Sequence, residues 1–378
     1  MKQLIIYSIF ISFLIGCSNE SGSSHKTDKS VIEIIGSVSV ERDYYPTHEW
    51  QTKTPSEVGL DEAVIEELIE EISKSDVNTM FMIKDGYLVK EYYKGSALKG
   101  RTTPINSATK SITSALIGIA IDKGYIESID QKVSDFLPEL LKDDIESGKL
   151  TWTIEHLLTM SVGSQWDEFS GESFWDMIGS NDWIDYTISQ PLTDEPGETY
   201  KYNSGASHLL SVIIERATGM STKEFADEYL FSQIGIKTGV LDYYWLTDPD
   251  GYYTGGHGID IEPIELTKFG YLFLNGGKWE GNQVISREWV ETSTLFQIDT
   301  NYSEVVGLGN YGFLWWVDEF EWNGQTVPYY YAGGARGQHL YVIPTFDFIV
   351  QFTGWLPNDA NATIYLDQLI NQYIAYLF

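Results

Sequence analysis

Residues 107–124, SATKSITSALIGIAIDKG, become apolar on nearly every face after their first turn and stop at Gly124. A helix of that kind must lie inside a body of chain, because a surface helix keeps one polar face for water. The chain can supply that body. It has 378 residues, 43% of them hydrophobic, within the globular range and outside the collagenous, disordered and multi-span membrane classes.

The flanking segments say what surrounds this helix. Residues 62–72 carry apolar side chains at Val64, Ile65, Leu68, Ile69 and Ile72, a helical spacing with an acidic outer face. Residues 80–83 and 87–93 read as strands around Asp85-Gly86, a strong hairpin signal. The middle of the chain, to about residue 280, is largely helical, with capping signals at Thr153, from Ser204 onward and at Ser221. Residues 311–316, 329–331, 339–343 and 348–352 read as strands, and 362–377 as a closing helix. The expected class is α+β, an antiparallel sheet flanked by helices and split in sequence by a mostly helical inserted subdomain.

The chain's start and its charge bound where it works and on what. Lys2, the apolar run from Leu4 to Ile15, Gly16 and Cys17 have the layout of a secretory signal, too short for a comfortable membrane span. Leu14-Ile15-Gly16-Cys17 resembles the bacterial lipobox, which implies a lipid on Cys17 and an extracytoplasmic, membrane-anchored bacterial lipoprotein, periplasmic or at the cell surface. Residues 18–28 are rich in Ser and Gly, and the stretch 18–46 is expected to be a flexible tether. With 55 acids against 24 bases the net charge is −31, which argues against nucleic acid as a partner. A lone cysteine cannot form an internal disulfide or a thiolate zinc site of the finger type, and no metal or organic cofactor is called for.

The chemistry-bearing residues are sparse. No GxSxG elbow, HExxH, phosphate-binding loop or dinucleotide fingerprint occurs. His156 and His208 sit in helical apolar patterns as expected core or boundary residues. Ser-x-x-Lys occurs at Ser23, Ser96 and Ser107, and only the third opens the buried helix. There the i, i+3 spacing puts Lys110 on the face of Ser107, and helix N-terminal amides favour negative charge nearby. A lysine partly withdrawn from water favours its neutral form and can take the serine proton. Taken by themselves, Ser107 and Lys110 read better as a helix cap and a solvated first-turn residue. Likewise Tyr202 reads as a packed aromatic, and Gly333-Gly334 as a bulge.

Three segments in order change that balance. Ser107-x-x-Lys110, Tyr202-Asn203-Ser204 within PGETYKYNSGASHLL, and Ala332-Gly333-Gly334-Ala335 before a strand resemble the serine β-lactamase and penicillin-binding protein superfamily, in its class C-like branch. That branch includes class C β-lactamases, D-alanyl-D-alanine carboxypeptidases, β-lactamase-fold esterases and 6-aminohexanoate-dimer hydrolases. The resemblance runs from about residue 50 to the end and implies the β-lactamase/transpeptidase-like fold. It divides the chain into a lipoprotein signal peptide over 1–17, the tether over 18–46 and a hydrolase domain over 47–378. Within that domain the sheet part is 47–105 with 285–378 and the helical part is 106–284.

Carried over by position, the resemblance implies that Ser107 is the acylated nucleophile, Lys110 the amine that deprotonates it and Tyr202 the partner base and acid. Ser204, or Asn203 one position earlier, would bond Lys110. The backbone N–H groups of Ser107 and Ala335 would form the oxyanion hole, with Gly334 allowing close approach. One departure bears on substrate: Ala332 stands where β-lactamases and carboxypeptidases usually carry a cation, and the nearest cation is Arg336. The implied activity is hydrolysis of a small ester or amide. The alternatives are β-lactamase or carboxypeptidase chemistry, and a non-catalytic binding or sensor lipoprotein. Aromatics near these segments, Trp166, Trp175, Trp183, Tyr252, Tyr253, Trp315 and Trp316, fit a pocket lining or a core equally.

Overall fold

Asp85 and Gly86 take positive φ, 53° and 83°, as the tightest hairpin turns require. Across them β1 (Val77–Lys84) and β2 (Tyr87–Tyr93) pair antiparallel. The computed structural model describes residues 42–169, 172–300, 309–357 and 359–378, so Cys17 and most of the expected tether lie outside the described residues. The helix α1 (Glu62–Ser73) forms where its apolar spacing indicates, with Asp61 capping the backbone N–H groups of Ala63 and Val64.

Short strands β3 (Thr103–Pro104), β4 (Tyr243–Trp245) and β5 (Ile259–Ile261) make a small sheet in the order β3-β5-β4. A two-stranded ribbon follows, β6 (Lys278–Trp279) with β7 (Asn282–Gln283). The main sheet is completed from the other end of the chain by β8 (Asn310–Tyr311), β9 (Trp316–Trp322), β10 (Gln325–Gly334), β11 (Gln338–Ile343) and β12 (Phe348–Gly354). Its order is β2-β1-β12-β11-β10-β9-β8, with every neighbouring pair antiparallel. Both faces of the centre are covered, since β11 and β12 are buried at every residue.

Between the two sheet contributions run α2 (Thr109–Asp122), α3 (Ile154–Leu158), α4 (Glu172–Gly179), α5 (Trp183–Ser189), α6 (Ser204–Thr218), α7 (Thr222–Ala226), α8 (Pro263–Leu274) and α9 (Arg287–Ser293). The chain ends with α10 (Asp359–Gln372). Alternation along β11 sorts two of these helices to opposite faces. Leu340 packs on Gly270 of α8, while the hydroxyl of its neighbour Tyr341 donates to Asp367 of α10 at 2.9 Å. The result is a layered fold with an antiparallel sheet between helices and a helical region to one side. Helix α2 lies buried from Thr109 to Ala120 and packs on α6, α9 and β10, as its all-round apolar sequence demands.

Several boundaries differ from the sequence reading. The tether ends before residue 46: Arg42 makes a two-pronged bond to Asp347 at 2.6 Å, and Tyr45 packs on Tyr271 and Trp279. Isolated charged and aromatic residues carry no periodicity that would have marked them as anchored. Residues 311–316 are not one strand, because Leu314 at φ 60° turns the chain between β8 and β9 and donates its N–H to Leu158. The final helix stops at Gln372 and gives way to a short 3-10 turn, Ile374–Tyr376. Helix α8, inside the segment expected to be the helical part, instead covers one face of the main sheet, where its almost wholly apolar surface is buried.

Gly118 of α2 lies directly beneath the indole of Trp289, so an added Cβ would sit 2.4 Å from a ring carbon. Alanine would gain up to about 1 kcal/mol of helix propensity in an open helix. Here overpacking outweighs that gain, and Gly118→Ala is expected to lower stability by about 1–3 kcal/mol in denaturant unfolding. An unchanged or raised stability would mean that α2 and α9 are not in this contact.

Candidate active site

The segment 105–108 is held from two sides before any chemistry is considered. Ile105 donates its N–H to Ile259 of β5 at 2.9 Å, and Asn106 adopts φ 48°, a left-handed conformation that asparagine tolerates. The turn Asn106–Ala108 is 3-10, and α2 proper begins at Thr109, two residues later than the sequence pattern indicates. On the other side the end of β10 presses in. A Cβ on Gly334 would lie 2.2 Å from the carbonyl oxygen of Ile105, so only glycine permits this approach. Asn106 Nδ2 donates to the Ala335 carbonyl at 2.8 Å and ties that backbone beside Ser107.

Lys110 sits one turn on and is 1% exposed. Its Nζ donates to Ser107 Oγ at 3.1 Å, to Ser204 Oγ at 2.9 Å and to the Gly256 carbonyl at 2.8 Å. Burial brings its pKa down from 10.5 to about 8, against the pull of the negative Glu168 nearby. Two other polar side chains of this otherwise apolar helix bond neighbouring loops: Ser111 donates to the Leu314 carbonyl and Thr113 to that of Gly255, each at 2.8 Å.

The Tyr202-Asn203-Ser204 register is decided by α6. Asn203 is its N-cap and accepts from Ala206 N at 2.8 Å, whereas Ser204 bonds Lys110. Tyr202 is buried, its ring stacked between Phe169 and Trp316 with centroids at 5.5 and 5.8 Å. The Lys110 ammonium lies 4.7 Å from the same ring's centroid. Ser107, Lys110, Tyr202, Ser204, Gly334 and Ala335 therefore converge, and Asn203 supports them through the helix cap.

Some residues near the site were not assigned from sequence. Glu168 accepts from Trp166 Nε1 at 2.7 Å, from Ser204 N at 3.1 Å and from the Ser204 hydroxyl. No spacing rule links Glu168 to Ser204, 36 residues apart. Gly256 contributes a backbone carbonyl, which no side-chain motif records. His257, beside it, packs between Phe174 and Trp183, and burial pushes its pKa down to about 3.

Of the two histidines expected at core or boundary positions, His156 is half-buried and accepts from Thr153 N at 3.3 Å, and His208 is buried with Nε2 2.9 Å from Asp248. Trp315 is core, packed on Phe269 and Phe273, while Trp316 lines the site and Trp175 is exposed. Ala332 is buried in β10 opposite Leu340. Arg336 is exposed, with its guanidinium 5.2 Å from the Trp355 ring centroid. Among the described residues no three His, Cys, Asp or Glu side chains gather where they could hold a metal ion.

The profile of the Beta-lactamase family matches residues 82–353. The chain belongs to the beta-lactamase family, a family of serine hydrolases. It is 22% identical over 304 residues to the 6-aminohexanoate-dimer hydrolase of Paenarthrobacter ureafaciens, covering 76% of this chain and 75% of that one. With penicillin-binding protein 4* of Bacillus subtilis it shares 27% over 270 residues, 64% of this chain and 57% of the other. Among solved structures, a Bacillus anthracis chain assigned as a 6-aminohexanoate-dimer hydrolase superposes with TM-score 0.66 at 18% identity, covering 89% of each chain. A class C beta-lactamase from Rhodobacter sphaeroides gives 0.58 at 18%, covering 82% of this chain and 98% of that one. At such identities the structural likeness establishes the beta-lactamase fold.

Burial of Lys110 has a thermodynamic signature. Between about 8 and 10.5 the folded chain has released a proton that the unfolded chain still holds, so this group adds stability as pH rises through that window. Lys110→Met removes that rise. The stability of wild type relative to the variant is expected to grow by about 3 kcal/mol between about pH 7 and pH 11 in denaturant unfolding. A difference that stays flat with pH would contradict a buried amine.

Proposed function

We propose that this protein hydrolyses small esters or amides through an acyl-enzyme on Ser107. The observation that carries the reading is the Lys110 amine, withdrawn from water, 3.1 Å from Ser107 Oγ and with a pKa of about 8. An ordinary lysine is almost wholly charged at neutral pH, whereas this one has an appreciable neutral fraction and can accept a proton. In acylation Lys110 takes the Ser107 proton as Oγ bonds to the substrate carbonyl carbon. The tetrahedral oxyanion is stabilised by the backbone N–H groups of Ser107 and Ala335. Its collapse breaks the bond to the leaving alcohol or amine, which departs with the proton passed through Lys110 and Tyr202. Water then attacks the acyl carbon by the same proton route, releasing the acid and restoring Ser107.

Substrate preference follows from what flanks the site. The buried Ala332 provides no positive charge where family members that act on penicillins or D-alanine termini usually carry one. Phe169 and Trp316, stacked on Tyr202, and the exposed Trp355 supply apolar surface nearby. The likeness to a 6-aminohexanoate-dimer hydrolase supports a small amide or ester. Arg336, directly after Ala335, favours the second reading, in which its guanidinium receives a substrate carboxylate and β-lactams or D-alanyl peptides are cleaved.

The test is intact-mass spectrometry and turnover of a chain lacking residues 1–17 with short-chain nitrophenyl esters, linear amides and a penicillin. Ester or amide turnover with a fluorophosphonate adduct on Ser107, both abolished in Ser107→Ala with an unchanged melting temperature, is expected. Labelling of Ser107→Ala at the wild-type rate would overturn the assignment, and a penicillin adduct would move it to the second reading. Lys110→Ala and Tyr202→Phe are each expected to lower kcat/KM by about 10²–10⁴-fold.

We further propose that the protein is exported and lipidated on Cys17, a reading supported by the Lys2-to-Cys17 sequence pattern. Metabolic labelling with a fatty-acid analogue is expected to mark the wild-type chain and not Cys17→Ser. Labelling retained in the variant would place the lipid elsewhere.

A further inference from the structure

The hydrogen bonds around Lys110 have a direction, and one residue outside the Ser-Lys-Tyr set decides it. Glu168 is surrounded by donors: the indole N–H of Trp166 at 2.7 Å, the backbone N–H of Ser204 at 3.1 Å and the Ser204 hydroxyl. A carboxylate only accepts, so the one hydroxyl proton of Ser204 points at Glu168 and the lone pairs of Ser204 Oγ are left for Lys110. The Gly256 carbonyl, 2.8 Å from Lys110 Nζ, also only accepts. A neutral lysine amine has two N–H bonds and one lone pair. With Ser204 and Gly256 each accepting an N–H, the remaining position, toward Ser107 at 3.1 Å, is the lone pair.

We propose that Glu168 is a positioning residue that holds the Ser204 hydroxyl turned away from Lys110, so that the neutral amine presents its lone pair to Ser107. Without Glu168 the Ser204 hydroxyl is free to rotate and donate to Lys110. An N–H would then face Ser107, and the amine could not take its proton. At the start of α6 Asn203 takes the Ala206 N–H and Glu168 takes that of Ser204, but only Glu168 also receives the Ser204 hydroxyl proton, which helix capping does not require. This inference rests on the reading of Ser107 as nucleophile and Lys110 as its base.

The experiment compares wild type, Glu168→Gln, Ser204→Ala and the double variant by the pH dependence of ester turnover and of fluorophosphonate labelling. Glutamine keeps the shape but brings an N–H2 group against converging donors. The titratable groups that face Lys110 are Glu168, Tyr202 and His257, with Tyr311 beyond Tyr202. Burial holds His257 near 3 and Tyr311 well above its ordinary value, so neither titrates between about pH 5 and 9. Two changes are expected in Glu168→Gln. The high-pH plateau of kcat falls about 10- to 100-fold with little change in KM, a part of the roughly 10²–10⁴ that a general base supplies. The rising limb moves to lower pH, because a negative charge that favours the ammonium is gone.

In the Ser204→Ala background the same substitution is expected to lower the plateau no further, since Glu168 acts through Ser204, while the limb still shifts. An unchanged plateau in Glu168→Gln, or full additivity with Ser204→Ala, would overturn the proposal. So would a fall matched by a lower melting temperature with no movement of the limb, which is what a merely structural residue gives. Fluorophosphonate labelling at a residue other than Ser107 in wild type would overturn the underlying reading instead, and this proposal with it.

Discussion

A lysine amine taken out of water beside a serine is the constraint on which the site depends. Burying an unpaired ammonium is expensive, and Lys110 meets that cost in two ways: oxygen partners for its N–H groups, and a pKa brought down to about 8. Each partner comes from a different stretch of chain. Ser107 is on the turn before α2, Ser204 opens α6, and Gly256 precedes β5. Assembling them requires α2 to be enclosed, and its apolar sequence secures that: buried aliphatic side chains contribute about 1.5–3 kcal/mol each. The same burial that stabilises the helical region keeps solvent from the amine.

The main sheet supplies the other wall. Its strands come from both ends of the described chain, so that β10 brings Gly334 and Ala335 against a turn more than two hundred residues earlier in sequence. Gly334 allows an approach no other residue would permit, and Asn106 locks it with one hydrogen bond. Aromatic side chains close the remaining side, with Tyr202 between Phe169 and Trp316. The packing thus fixes a serine, an amine, a phenol and a glycine-permitted backbone within one small volume.

Much of this is legible in the sequence where a feature is local or periodic. The buried helix, the Asp85-Gly86 hairpin, the α1 amphipathic stripe and the Ser107-x-x-Lys110 spacing each rest on residues within a few turns of one another. Contributions from backbone or from unpatterned long-range contacts are not legible. The Gly256 carbonyl has no side-chain signature, and Glu168 gains its role only when the 160s loop folds over the start of α6. Arg42 looked like tether because one arginine has no periodicity, yet it pairs with Asp347 at the other end of the chain. The strand expected over 311–316 failed for a related reason: an aromatic-rich run resembles a β strand, but Leu314 must turn to reach Leu158. Sequence alone also left Asn203 and Ser204 as rival partners of Lys110, and the helix cap separates them.

The most direct measurement is the titration of Lys110 itself. The Lys110 side-chain carbon resonance, followed by NMR in lysine-labelled protein and assigned by its loss in Lys110→Met, is expected to titrate with a midpoint of about 8. A midpoint at or above the ordinary lysine value of 10.5 would mean that the amine is solvated and charged at neutral pH, and the account of Ser107 activation would not stand.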